Sequence, residues 1–250
     1  MTERRRLDAL IVERGLAPNR ERARRLIMTG DVLVDERPVT KPGQAVDPGA
    51  ALRLRAAPAT YVSRGGEKLA GALAAFALDV RGRSALDVGA STGGFTDCLL
   101  RHGAARVIAL DVGYGQLAWS LRQDERVVVR DRTNARRLAP EDLPFVPTLV
   151  TVDVSFISLA HVLPAVARVV APGADVVALV KPQFEVGREH VGSGGVVRDP
   201  ALRAKAVDTV RAVATAHGFE VRGESEAILP GPKGNRETFL WLVTAESVAA

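Results

Sequence analysis

The sequence predicts an α/β protein built on a mostly parallel, seven-stranded sheet, with a small α+β unit ahead of it. Three observations predict this. From residue 63 onward, apolar strand-like runs alternate with helical stretches, the texture of a parallel sheet covered on both faces. One of these runs, SALDVGASTGGFTD, reads as a strand, a Gly-rich turn and a helix start. The first ~60 residues have a different texture, two short helical patterns followed by short β-like pieces. A chain of 250 residues suits such a pairing of a small domain with a medium one.

In order along the chain, LDALIVERGLA spaces Leu7, Leu10, Ile11 and Leu16 helically, and Gly15 marks the helix C-terminus. Asn19 is placed to cap a second helix, NRERARRLIMTG, which stops at Gly30. VLVD reads as a strand, AVDPG as a turn, and ALRLR as a strand in which Leu52 and Leu54 alternate with Arg53 and Arg55. AAPATYV, residues 56–62, is small and Pro-containing and reads as a linker. The expected organisation is therefore a first domain over 1–58, a linker over 59–62 and a second domain over 63–250. In the second domain SRGGEKLAGAL is helical and precedes the first strand. SALDVG, RVIALD, RVVVRD, TLVTVD and ADVVALVK are strands, separated by helical FTDCLLRHG, QLAWSLRQ and LAHVLPAVARVV. A helix near 200–217 and strands near 219–226 and 238–244 complete the sheet.

Apolar residues make up 47% and charged residues 25%, so a large core forms without disulfides or metals. Cys98 stands alone, which excludes an internal disulfide and suits a reducing compartment. No signal-peptide pattern and no apolar window of ~18 residues is visible, so a cytoplasmic protein with no membrane partner is expected. The net charge is +5, and residues 1–59 hold twelve Lys and Arg against eight Asp and Glu. That local surplus suits a polyanion; the alternative is a solvated basic face. Arg20 and Arg24 share one face of the second helix, as a phosphate-binding surface or a solubilising one.

The Gly-rich turn lacks the lysine of a phosphate loop and does not match G-x-G-x-x-G. Gly89, Gly93 and Gly94 allow a tight turn and close approach to a ligand, and the helix starting near Gly94 offers free N–H groups. Asp111 ends the next strand, where a carboxylate can accept from both hydroxyls of a ribose, and Asp131 ends the third, within reach of an adenine amine. A turn that avoids phosphate plus two strand-end acids suits S-adenosylmethionine better than a dinucleotide. Asp111 could instead be a surface acid, and Asp131 could pair with Arg130 or Arg132. Asp87 is read as orienting the turn. Asp153 and Lys181 end two further strands, Glu237 introduces the last, and Lys68 lies on the preceding helix. Singly each reads as a solvated side chain or simple ion pair; together, at the ligand-binding end of an open sheet, they read as a site.

Two resemblances sharpen this. The pattern L-D-x-L, G-L-A-x-N-R and A-R-x-L-I-x-x-G-x-V-x-V resembles the RNA-binding module named after small-subunit ribosomal protein four. SRGGEKL, DVGASTGGFTD, ALDVGYGQLAWSLR, RTNAR, DVSFISL, LVKPQFEVG, GGVVRDP and LPGPKGN resemble the TlyA family of ribosomal RNA 2′-O-methyltransferases, over residues 4–245. The resemblance implies a Rossmann-like, FtsJ-like methyltransferase domain and a catalytic tetrad of Lys68, Asp153, Lys181 and Glu237. It implies S-adenosylmethionine contacts at Gly89, Gly93, Phe95, Asp111, Asp131 and Asp153, to which Ser91 and Gly94 of the same turn are added. It implies ribosomal RNA or subunits as partner, with cytidines of 16S and 23S RNA as targets. Arg4, Arg6, Arg20 and Arg24 are the candidate RNA contacts, no metal is expected, and the chain is expected to be a monomer. Where the family often has R-x-W-V in the linker, this chain has Ala59, Thr60, Tyr61 and Val62; Phe95 stands where the wider FtsJ group often has Trp.

The expected reaction is in-line attack of a ribose 2′-oxygen on a sulfonium methyl. Lys181 acts either as a neutral base or as a cation stabilising the developing alkoxide. Two competing readings are a nonenzymatic RNA-binding or assembly factor, which would not bind S-adenosylmethionine, and a haemolysin, which would breach liposomes. Base methylation is disfavoured because DVSF stands where such enzymes commonly carry an N/D-P-P-Y-type motif.

Overall fold

The computed structural model describes residues 4–54 and 60–245. The chain divides into two compact units, Met1–Thr60 and Tyr61–Ala250. Arg55 of the expected ALRLR strand and Ala59 of the linker lie outside the described residues.

The first unit contains β1 (Arg5–Arg6), α1 (Leu7–Glu13), α2 (Arg20–Met28), β2 (Val32–Val34), β3 (Arg37–Pro38), β4 (Ala45–Val46) and β5 (Leu52–Leu54). Leu7, Leu10, Ile11, Ala23, Ile27 and Val32 form its buried core. Asn19 caps α2, its side chain accepting from Arg22 N at 2.9 Å, a contact worth about 1 kcal/mol. AVDPG is not wholly a turn. Ala45–Val46 pairs antiparallel with Arg5–Arg6, and the chain reverses at 47–50, where Asp47 accepts from Gly49 N. The short pairing satisfies backbone groups that a turn would leave open.

The second unit runs α3 (Arg64–Ala75), β6 (Ser84–Val88), α4 (Gly94–Arg101), β7 (Arg106–Leu110), α5 (Trp119–Arg122), β8 (Val127–Arg130) and β9 (Leu149–Val152). It continues with α6 (Leu163–Val169), β10 (Asp175–Val180), α7 (Pro182–Glu185), α8 (Pro200–Ala216), β11 (Phe219–Glu226) and β12 (Thr238–Thr244). The strand order is β11-β12-β10-β9-β6-β7-β8. All neighbours are parallel except β12, which runs antiparallel to both β10 and β11.

Continuous apolar strands follow from burial on both faces. Leu86, Val88, Val176, Ala178 and Val180 point to the face covered by α6 and α8. Ala85, Val177 and Leu179 point to the face covered by α3 and α4, where Phe239 of β12 also packs. The chain leaves β6 outward through β7 and β8, then returns to place β9 on the other side of β6. That reversal opens a crevice at the C-terminal ends of β6 and β9, the usual place for a ligand in open α/β sheets.

Candidate active site

The turn after β6 is tied directly to β9. Asp153 N donates to Val88 O at 2.9 Å, while Gly89 N and Ala90 N both donate to Leu110 O. Gly89 has φ +87°, and a Cβ there would lie 2.5 Å from the Asp153 carbonyl oxygen, so only glycine lets the two strand ends meet. Gly93 has φ +98°, and its missing Cβ is replaced by Leu121 and Leu117. The space at Gly93 thus admits protein rather than ligand. Gly94 makes room for Ser63, whose Oγ would be 2.2 Å from a Cβ at that position.

Two adjoining cavities open at the crevice. The first, about 710 Å³, is lined by Lys68, Asp153, Lys181 and Glu237, together with Gly89, Ser91, Gly94 and Phe95. All four expected catalytic residues therefore face one space. The second, about 560 Å³, is lined by Gly89, Ser91, Asp111, Thr133, Asn134 and Asp153 among others. Ser155 and Phe156 border both. Ser91 and Phe156 adopt left-handed backbone angles, φ +48° and +66°, an uncommon conformation for non-glycine residues that clusters at functional sites.

The four charged residues form two pairs. Lys68 Nζ donates to Glu237 Oε2 at 2.5 Å, with both side chains nearly buried. Gly231 allows that carboxylate to come close, since a Cβ there would stand 2.5 Å from Glu237 Oε1. Lys181 Nζ lies 2.5 Å from Asp153 Oδ1 and donates to Ser155 Oγ at 2.9 Å. The contact with Asp153 is an ion pair without hydrogen-bond geometry, so Asp153 Oδ1 accepts no hydrogen bond. Lys181 is anchored because α7 begins immediately after it with Pro182, and Glu185 holds that turn by accepting from Ser158 Oγ and Leu159 N. Burial pushes the Glu185 carboxyl above its ordinary range, opposed by those two hydrogen bonds.

Asp111 closes the second cavity. Its Oδ2 accepts from Ser91 N at 2.8 Å and its Oδ1 from Gly113 N at 2.7 Å, so each oxygen keeps a lone pair for a further donor. A vicinal diol matches that arrangement, and the pair of acceptors fits the donating hydroxyls of an adenosyl ribose. Asp131 does not join it. Its Oδ2 is taken by Arg122, at 2.5 Å, and by Gly115 N, and it lines neither cavity. The Arg122 hydrogen bond first, then that from Gly115, holds its carboxyl below the usual range. The partner is Arg122 of α5, not the sequence neighbours Arg130 or Arg132. Gly93 likewise lines neither cavity. Asp87 is fully buried beneath the turn, where Thr96 and Thr151 donate to it; burial raises its carboxyl to about 7.

Sequence reasoning missed Thr133, Asn134, Ser155, Phe156, Gln183 and Asn235. Asn235 is buried, accepts from Val197 N and donates to Gly195 O, joining two loops at the cavity rim. Its position inside LPGPKGN was the available signal. Tyr61, in the departing linker, packs against α3: a Cβ at Gly66 would lie 2.3 Å from its ring.

In the first unit Arg6, Arg20 and Arg24 converge on one carboxylate. Asp8 is buried and accepts from all three, at 3.0–3.3 Å. The Arg6 hydrogen bond is the largest reason its carboxyl sits far below the ordinary range. The three guanidinium side chains remain about half exposed, so one acid fixes three outward-facing cations. Arg4 is exposed.

A model of FtsJ-like methyltransferases matches residues 61–244, and a model of the S4 domain matches residues 5–52. The chain belongs to the TlyA family of FtsJ-like methyltransferases. It is 55% identical to the 16S/23S rRNA (cytidine-2′-O)-methyltransferase TlyA of Mycobacterium tuberculosis, across 98% of this chain and 91% of that one. It is 38% identical to a Brachyspira hyodysenteriae protein named Hemolysin A, across 93% of this chain and 97% of that one. A solved structure from Streptococcus thermophilus that also carries the name hemolysin superposes with a TM-score of 0.76 at 43% identity, covering 99% of this chain and 92% of that one. Among the described residues no helix is long and apolar enough to cross a membrane.

Proposed function

We propose that the chain transfers a methyl group from S-adenosylmethionine to the ribose 2′-hydroxyl of cytidine in ribosomal RNA, in both 16S and 23S. The observation that carries this is the meeting of two amine–carboxylate pairs, Lys68–Glu237 and Lys181–Asp153, on one cavity at the strand reversal. The relatives named as rRNA (cytidine-2′-O)-methyltransferases supply the substrate class. Bound S-adenosylmethionine would supply an electrophilic sulfonium methyl. Asp111 would hold its ribose, with Ser91, Thr133 and Asn134 around the same cavity and Gly89 and Asp153 at the junction between the two.

A ribose hydroxyl is a poor nucleophile, so the site must remove its proton or stabilise its charge. Lys181, ion-paired with Asp153, is a cation placed to stabilise the alkoxide as it forms. Asp153 Oδ1 holds that ammonium in place by charge, and a neutral Lys181 would instead take the hydroxyl proton as a base. Lys68 and Glu237, locked together, brace the wall of the same cavity. In the first unit, the Arg6, Arg20 and Arg24 cluster would contact phosphates, and folded ribosomal RNA would be read largely by shape and backbone.

The test is 2′-O-methylation mapping on ribosomal subunits from a strain lacking the enzyme, before and after incubation with protein and cofactor. Lys181→Ala is expected to lose ~10²–10⁴-fold in turnover while cofactor affinity stays within a few-fold. Loss of cofactor binding together with activity would remove Lys181 from the reaction.

A further inference from the structure

Among the described residues two buried side-chain polar atoms lack a hydrogen-bond partner, Asp153 Oδ1 and Gln183 Oε1. Both residues line the cavity that holds Lys181. A buried acceptor without a donor is a standing cost, and native structures seldom carry one without a use. The Asp153 oxygen is accounted for by the ammonium of Lys181, 2.5 Å away. Nothing among the described residues accounts for the Gln183 oxygen.

The backbone that carries the amide is also braced. Pro182 is buried and fixes the chain before it, and Phe184 N donates to Lys181 O at 2.9 Å. Glu185 clamps the turn to Ser158 and Leu159, at 2.6 and 2.9 Å. The Phe184 ring packs against Phe156, centroids 5.3 Å apart. Gln183 thus stands on a braced turn in the wall of the cavity, its amide oxygen without a donor, as suits a residue that a ligand completes.

We propose that Gln183 is a specificity residue whose Oε1 accepts a hydrogen bond from the exocyclic amine of the target cytosine, selecting cytidine over uridine. The proposal rests on the ribose-methylation reading above. If the attacking hydroxyl lies at Lys181, the base on that same ribose reaches the wall to which Gln183, two residues further on, belongs. Cytosine presents an N–H donor where uracil presents a carbonyl. Against the unpartnered Oε1, cytosine supplies the missing donor, whereas uracil sets two acceptors face to face.

The experiment uses the full-length protein and ribosomal subunits whose mapped target is either the natural C or a C-to-U change. Single-turnover rates are read alongside S-adenosylmethionine affinity by calorimetry. The wild type is expected to prefer C by roughly 10- to 100-fold. Gln183→Leu should lose most of its rate on C and bring the two rates within about threefold of each other, with cofactor affinity unchanged. Gln183→Glu, which keeps an oxygen there, should retain the preference; Gln183→Met serves if leucine disturbs folding. An unchanged C-over-U ratio in the leucine or methionine variant overturns the proposal. So does a fall in cofactor affinity that accounts for the lost rate, which would assign the amide to the cofactor. A wild type that methylates C and U targets equally overturns the base-reading role alone. A wild type that methylates neither subunit overturns the ribose-methylation reading and this proposal with it.

Discussion

Replacing Glu237 by glutamine exchanges one oxygen for an amide and leaves the buried Lys68 ammonium without a counter-charge. Glu237 is 1% exposed and its partner's side chain 9%, so solvent cannot take over the carboxylate's role. Removing one member of a buried pair costs roughly 3–5 kcal/mol, and the lower end applies because the amide oxygen still accepts a hydrogen bond. For a domain of this size each kcal/mol moves Tm by about 2–4 °C, so a fall of roughly 6–12 °C is expected. Turnover should fall by ~10² or more, beyond what partial unfolding explains. The double variant Lys68→Met/Glu237→Leu replaces both charges with apolar groups. Such exchanges are often neutral or better for stability, so Tm should return most of the way while methylation stays as low as in the single variant. Thermal and urea melts with parallel methylation assays separate the two effects. A Glu237→Gln protein that melts within 1–2 °C of wild type (about 0.5 kcal/mol) would refute the buried-pair argument. Activity regained in the double variant would remove the pair from catalysis.

Asp111→Ala removes both acceptors beside the diol site, so cofactor affinity by calorimetry should fall by roughly 10- to 100-fold while RNA binding is kept; an unchanged Kd would place the ribose elsewhere. Asp87 gives a pH signature. Its carboxyl is raised to about 7 in the fold but ionises near ~3.9 when unfolded, so between those values the folded chain binds the extra proton. Its contribution to stability is complete below about pH 4 and is lost as pH rises through 7. Subtracting Asp87→Asn from wild-type urea stabilities across pH 4–8 should leave that downward slope, and a flat difference would place the carboxylate in a wetter setting. Arg20→Ala and Arg24→Ala together should weaken RNA binding and reduce its salt dependence by up to about two phosphate contacts. Unchanged salt dependence would mean a solubilising face.

The α/β character was legible because burial on both faces demands near-continuous apolar strands, and SALDV, RVIAL and ADVVALV could hardly be anything else. Asn19 and Gly15 were legible for an equally local reason, one through its side-chain cap and the other through its left-handed φ of +68°. Asp153 and Lys181 stand out in the sequence because charges ending apolar runs are conspicuous, and the family resemblance adds Lys68 and Glu237 as candidates beside them. The identity of their partners could not be read there. Lys68 meets Glu237 across 169 residues of chain. Asp131 was expected to reach a ligand or a neighbouring arginine, yet α5 delivers Arg122 to it. The AVDPG segment was misread in part because its strand partner, Arg5–Arg6, lies about forty residues earlier.

Local chemistry thus specified which segments become strands, where helices start and stop, and which residue types are available for a reaction, since each depends on a chain's near neighbours alone. Long-range packing settled the rest: which amine faces which acid, which acids remain open to a ligand, and which carbonyl is left without a donor. Those outcomes depend on distances between strand ends and loops brought together by the sheet's reversal at β6 and β9. Hydrogen bonding and desolvation act only over such final distances, so no run of letters contains them.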